Sequence, residues 1–120
     1  MASQTNAHIR TGQAGESRAT AFLQQQGYSI VRKNYRHRRA EVDIIAQKEN
    51  LLVFVEVKTR GTDRYGYPEE AVDSRKEALL LGAAEAYIAE TGWQHEVRFD
   101  IISITLTAPL TVHHIEDAFH

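Results

Sequence analysis

Three side chains in the middle of the chain have the types and spacing to do chemistry. Asp43 stands in Glu41-Val42-Asp43-Ile44-Ile45, and Glu56 and Lys58 close the run Val53-Phe54-Val55-Glu56-Val57-Lys58. In an extended strand alternate residues share a face, so Glu56 and Lys58 lie side by side. A charged pair at the end of an apolar strand is costly to bury unless something compensates it. The hairpin register decides whether Asp43 joins them. With a two-residue turn at Glu49-Asn50, Asp43 stands opposite Glu56 and Glu41 opposite Lys58, with Cβ atoms about 4.5–5.5 Å apart. One more turn residue would send Asp43 and Glu56 to opposite faces. In the paired register two carboxylates grip one hard cation through oxygen, which is the chemistry of magnesium, with manganese as the alternative ion. Such an ion lowers the pKa of a bound water and neutralises a phosphodiester. Lys58 would orient that water or stabilise charge on the phosphoryl oxygens. Glu16 is a fourth candidate. The plain alternatives are an ordinary Glu56–Lys58 ion pair, since Glu-x-Lys triplets are common, and an acid at Glu16 favoured by the helix dipole.

The elements that position these residues are legible from periodicity. Gly12, Gly15, Glu16, Ala19, Phe22, Leu23 and Gln26 fall on one helical face from Thr11 onward, and Gly27 stops the helix. Residues 1–10 are expected to be a frayed terminus. Strands are expected over 28–31, 41–46 and 51–58, the last two as a hairpin around Lys48-Glu49-Asn50. The 51–58 strand is apolar on both faces, as a central, doubly covered strand requires. A Gly- and Tyr-rich loop over 60–68 leads to a helix entered at Ser74. Glu77 completes its capping box, Leu80, Ala83, Ala84, Tyr87 and Ile88 point inward, and Gly92 ends it. Strands over 97–104 and 111–115 follow. The expectation is an α/β sandwich with helices packed on a central mixed sheet.

The 120 residues suit one domain. The chain has no cysteine, which excludes disulfides, thiolate zinc sites and a cysteine nucleophile. The first ten residues are polar, with no signal-peptide segment, and no apolar run approaches the ~20 residues of a membrane span. A soluble, cytoplasmic protein is expected. The net charge of −2 hides an asymmetry: residues 1–68 carry eleven Lys or Arg against six acids, and residues 69–120 carry three against ten. A locally basic face therefore stays open. Its densest part is Arg32-Lys33-Asn34-Tyr35-Arg36-His37-Arg38-Arg39, either a phosphate-binding segment or a solvated strand edge. Arg36 and Arg38 share a face if the strand is regular, which leaves Arg39 the contact to discard. Lys76 could reach a phosphate, though a solvated helix position is the stronger reading. His113 and His114 point to opposite faces and are read as surface histidines; Trp93 and Tyr87 belong in or near the core.

Gly15-Glu16, Asn34-Tyr35-Arg36, Glu41-Val42-Asp43-Ile44-Ile45 and Val53-Phe54-Val55-Glu56-Val57-Lys58-Thr59-Arg60 occur in that order. With Ala71-Val72-Asp73, Lys76, Arg98-Phe99-Asp100 and Asp117-Ala118-Phe119, they resemble the YraN-type uncharacterised proteins over about residues 12–119. Those are similar to archaeal Holliday-junction resolvases of the restriction-endonuclease-like, PD-(D/E)xK superfamily. The resemblance implies that Asp43, Glu56 and Lys58 hold the nuclease positions, with Glu16 as the helix carboxylate. Ala40 replaces the usual Gly, and Val42 stands where the nuclease signature has Pro. The expected function is Mg-dependent endonuclease cleavage of structured or branched DNA, with Arg32, Lys33, Arg36, Arg38, Arg39 and Lys76 on nucleic acid and a homodimer as the resolvase-like assembly. The alternatives are a non-catalytic nucleic-acid-binding domain of the same fold and a protein-interaction domain.

Overall fold

The computed structural model describes residues 3–60 and 74–119, with side chains from Gly12 onward. The expected loop over 60–68 lies outside this range apart from Arg60, as does the Ala71-Val72-Asp73 motif. Helix α1 spans Ser3–Gln25, so it begins eight residues before the Thr11 start that periodicity gave, and residues 3–10, expected within a frayed terminus, are helical. The polar early turns carry no apolar stripe, and periodicity alone cannot see them. The end of α1 follows from its glycine. Gly27, at φ 96°, permits Tyr28 N to donate to Leu23 O and Gly27 N to Gln24 O, the paired bonds of a Schellman cap. Tyr28 then packs in the same buried cluster as Leu23.

Strands β1 (Ser29–His37), β2 (Ala40–Lys48) and β3 (Leu51–Arg60) follow, then α2 (Ser74–Thr91), β4 (Glu96–Thr105) and β5 (Thr111–Ile115). The sheet order is β1-β2-β3-β4-β5. Only β3 and β4 are parallel, joined across α2, and the other neighbours are antiparallel. The hairpin expectation holds: Lys48 pairs with Leu51, and Glu49 takes φ 54° to close the two-residue turn.

Each face of β3 is buried under a different helix, which is why its sequence is apolar throughout. Leu52 and Phe54 pack with Leu80, Ala83, Ala84 and Tyr87 of α2. Val53 and Val55 pack with Ala19 and Leu23 of α1, together with Ile102 and Ile104. Among the described residues the result is an α/β fold with one helix on each face of a mixed five-stranded sheet. Among the described residues no helix is long and apolar enough to cross a membrane.

Candidate active site

The site lies where β2 and β3 part. Their ladder runs from Lys48↔Leu51 to Ile44↔Val55 and is not continued at the next pair, Asp43 and Glu56. There Asp43 Oδ2 accepts the Val57 N–H at 2.7 Å, so a carboxylate replaces a ladder carbonyl. Side-chain alternation slips at the same residue. Val42 and Ile45 both face α2, while Ile44 and Ala46 face α1; a regular strand would put Val42 and Ile45 on opposite faces. The slip is shared by β1, where Asn34 adopts φ 57° between the pairs Lys33↔Ile44 and Tyr35↔Val42. The sequence expectation of Asp43 and Glu56 facing one another on one sheet face is therefore modified. The turn length and register are as expected, but Asp43 reaches across toward the β3 backbone. Irregularities of this kind re-aim a side chain and end a pairing.

Glu56 lies on the α2 side, with its side chain only 8% exposed. Its Oε2 meets Lys58 Nζ at 3.2 Å and Lys76 Nζ, from the first turn of α2, at 2.5 Å. On the α1 side the helix comes close because residue 15 is glycine: a Cβ there would lie 1.8 Å from Thr59 Oγ1. This approach brings the neighbouring Glu16 within the electrostatic reach of Asp43.

Charge in this fork is unbalanced around Asp43. Burial and the Glu56 carboxylate push its pKa up to about 7 against the opposing Val57 amide, and Glu16 and Glu41 add to the rise. Burial and the hydrogen bond with Lys76 bring the Lys58 ammonium below its usual range, outweighing the attraction of Glu56. Burial opposes the charged form of Lys76, but its hydrogen bonds to Glu56 and Lys58 hold its pKa above the usual value. Asp43 and Glu56 form an acidic pair with oxygen donors suited to a hard cation. Among the described residues no group of three or more His, Asp or Glu closes on one point.

Asp43, Glu56 and Lys58 are thus brought together, Glu16 contributes through its field, and Lys76 is held in the site rather than solvated on a helix face. The basic segment divides. It forms β1, an edge strand, as far as His37. Arg32 lies 4.8 Å from the Tyr35 ring centre and 3.9 Å from Glu90. Arg36 pairs with Glu41 at 3.3 Å, and Lys33 is exposed. Arg38 and Arg39 form the turn into β2, with Arg38 at φ 57°. The expectation that Arg36 and Arg38 share a strand face fails for that reason. Arg39, the residue the strand reading would discard, lines a cleft of about 370 Å³ together with Arg75 and Lys76. A larger cleft of about 740 Å³, around Glu49 and His95, lies at the turn end of the sheet and holds none of the candidate residues.

A second polar cluster was not anticipated. Asp100 is 1% exposed and accepts Arg98 Nε and Nη2, both at 2.8 Å, His114 Nε2 at 2.7 Å and the Asp117 amide at 3.1 Å. Burial alone would raise its pKa, but the hydrogen bonds from His114, Arg98 and Asp117 hold it below the usual carboxylate range. His114 is therefore a part-buried partner of Asp100, with its side chain 12% exposed, and its expected surface position is corrected; His113 is exposed as read. The signal was the alternation Arg98-x-Asp100 inside an apolar strand, which demands a compensating partner just as Glu56-x-Lys58 does.

The fold and this site define an α/β protein with a buried acid–lysine cluster at a strand fork. The chain belongs to uncharacterised protein family UPF0102, whose sequence profile matches residues 15–104. It is 49% identical to a UPF0102 protein of Cytophaga hutchinsonii over 82% of this chain and 87% of that one. It is 43% identical to a UPF0102 protein of Flavobacterium psychrophilum, covering 94% and 96%, and 43% identical to one of Bacteroides thetaiotaomicron, covering 94% of each.

Proposed function

We propose that this protein is a magnesium-dependent endonuclease of restriction-endonuclease-like type, acting on structured or branched DNA. The observation that carries the reading is the Asp43–Glu56 pair at the fork between β2 and β3. Two acids are held close enough for one to raise the other's pKa, with Lys58 and Lys76 beside them. Asp43 and Glu56 would hold the ion, which when bound supplies an activated water and charge neutralisation at the phosphate. Asp43 is oriented by the Val57 amide. Lys58, with its lowered pKa, is suited to position a water and to exchange a proton with it. Lys76 neutralises Glu56 in the absence of a cation. Glu16 adds negative potential from the helix side, which favours a cation at the fork.

A non-catalytic nucleic-acid-binding domain is the second reading. It is favoured by the lack, among the described residues, of a third acid or histidine converging with the pair. Incubation of supercoiled plasmid and branched DNA with wild type, Asp43→Asn and Glu56→Gln, in magnesium, manganese or chelator, separates the two. Cleavage by the wild type alone, and only with metal, is the expected result. Binding without cleavage under every condition would establish the second reading, and equal cleavage by all three proteins would remove the carboxylates from the chemistry.

A further inference from the structure

We propose that the cleft between the β1–β2 turn and the start of α2 binds one unpaired nucleotide of a nucleic-acid strand, with Arg39 and Arg75 on its phosphates and Leu79 under its sugar–base face. The proposal rests on the nuclease reading and names the substrate class that reading would take: a strand with unpaired nucleotides beside the cleavage point.

The cleft holds about 370 Å³, near the lower end of the ~300–1,000 Å³ of ligand sites. That admits one nucleotide and no double helix. It joins the carboxylate pair directly, because Lys76 lines the cleft and bonds Glu56 at the same time. Its rim is cationic. Arg39 and Arg75 are exposed, and among the described residues neither has a carboxylate partner, unlike Arg32 with Glu90 and Arg36 with Glu41. Two guanidiniums on one cleft repel each other until an anion lies between them, and their planar forks suit phosphate oxygens. Among the described residues that line the cleft the one acid, Glu41, is already paired by Arg36 at 3.3 Å. The floor is apolar: Leu79 is 38% exposed, with Leu80 at 4% behind it. A cationic rim over an apolar floor selects an anion carrying a flat apolar body. Inorganic phosphate would leave that floor bare.

The test is binding in chelator, where cleavage cannot occur, read by fluorescence anisotropy. A labelled single strand and the blunt duplex of the same sequence are each titrated across a salt series. The single strand should bind more tightly. Replacing Arg39 and Arg75 together by Ala should lower the slope of log affinity against log salt by about 1.4 for the single strand, at ~0.7 per phosphate contact. Leu79→Ser should weaken the single strand severalfold and leave its slope unchanged, since it removes contact area and no charge. Circular dichroism confirms that each variant is folded. A double variant with the wild-type slope, or a Leu79→Ser protein with wild-type affinity, overturns the cleft. If either occurs while wild type still cleaves DNA in magnesium, the cleft fails and the nuclease reading survives. If the cleft behaves as expected but no metal supports cleavage, the nuclotide site stands and the nuclease reading falls.

Discussion

Asp43 concentrates the electrostatic tension of the molecule at a single residue. Its carboxyl titrates near pH 7 in the folded, metal-free protein because of burial and Glu56, against about 3.9 in an unfolded chain. Between those values the folded state holds a proton that the unfolded state has lost. The contribution to stability is therefore full below about pH 4 and disappears as pH rises through 7. Asp43→Asn keeps an oxygen for the Val57 amide but cannot ionise. In chelator the variant should be more stable than wild type at pH 8 by ~2–4 kcal/mol, with the difference shrinking toward zero near pH 4. Urea unfolding across pH measures this, and an Asn variant less stable at pH 8 would mean that the carboxylate is already compensated. Lys76 teaches a related lesson. Its position in sequence is that of an ordinary first-turn lysine, and its contact with Glu56 makes it a counter-charge.

Between elements, two glycines of α1 give opposite expectations from the same substitution. A Cβ at Gly12 would meet nothing within 4 Å, whereas at Gly15 it would meet Thr59 Oγ1 at 1.8 Å and Thr59 Cγ2 at 2.9 Å. Gly12→Ala should stabilise the protein by about 0.5–1 kcal/mol through helix propensity. Gly15→Ala should destabilise it by ~1–3 kcal/mol, because α1 must lift from β3. Thr59→Ala should recover part of that loss, and a double-mutant cycle by thermal unfolding reads the coupling. At the other end of the sheet, Asp100 joins β4 to β5 and to the segment after it. Asp100→Ala leaves the Arg98 charge without its closest partner and should cost roughly 3–5 kcal/mol, as breaking a buried pair does. Because its folded pKa is lowered, the stability that Asp100 confers is present above about pH 4 and fades as acid protonates it. Acid unfolding of wild type and variant should therefore converge at low pH; curves that stay parallel would place the stabilisation in packing instead.

For the molecule as a whole, charge is sorted along the chain and the fold then redistributes it. The basic first half supplies the edge strand β1 and its turn, while Glu90 of the acidic half comes back to meet Arg32. Arg36 is held by Glu41, leaving the turn arginines as the more available cations. If Arg38 meets a duplex phosphate beside the cleft, Arg38→Ser should flatten the salt dependence of duplex binding by about 0.9. Arg36→Ser should change it less, since release from Glu41 offsets what the arginine gains. Affinity should fall alike for all sequences, because backbone contacts carry no base information. A duplex salt series in which Arg38→Ser overlays wild type would return this edge to a solvated role.

The sequence by itself determined the helix faces, the five strands to within a few residues except at the long β1, the two-residue turn at Glu49-Asn50, and the pairing of Glu56 with Lys58. Each of these follows from a short-range period or a local backbone preference, which a few neighbouring residues carry in full. Only the tertiary structure decided the slip at Asp43, the seat of Lys76 on Glu56, the closeness of Gly15 to Thr59 and the convergence of Arg98, Asp100 and His114. Those depend on which elements meet and at what depth. A slipped strand residue also leaves no mark in alternation that distinguishes it from an ordinary polar position. Arg39 makes the point most directly: a regular strand would have discarded it, and the turn that the chain takes at Arg38 puts it at the cleft beside the acids.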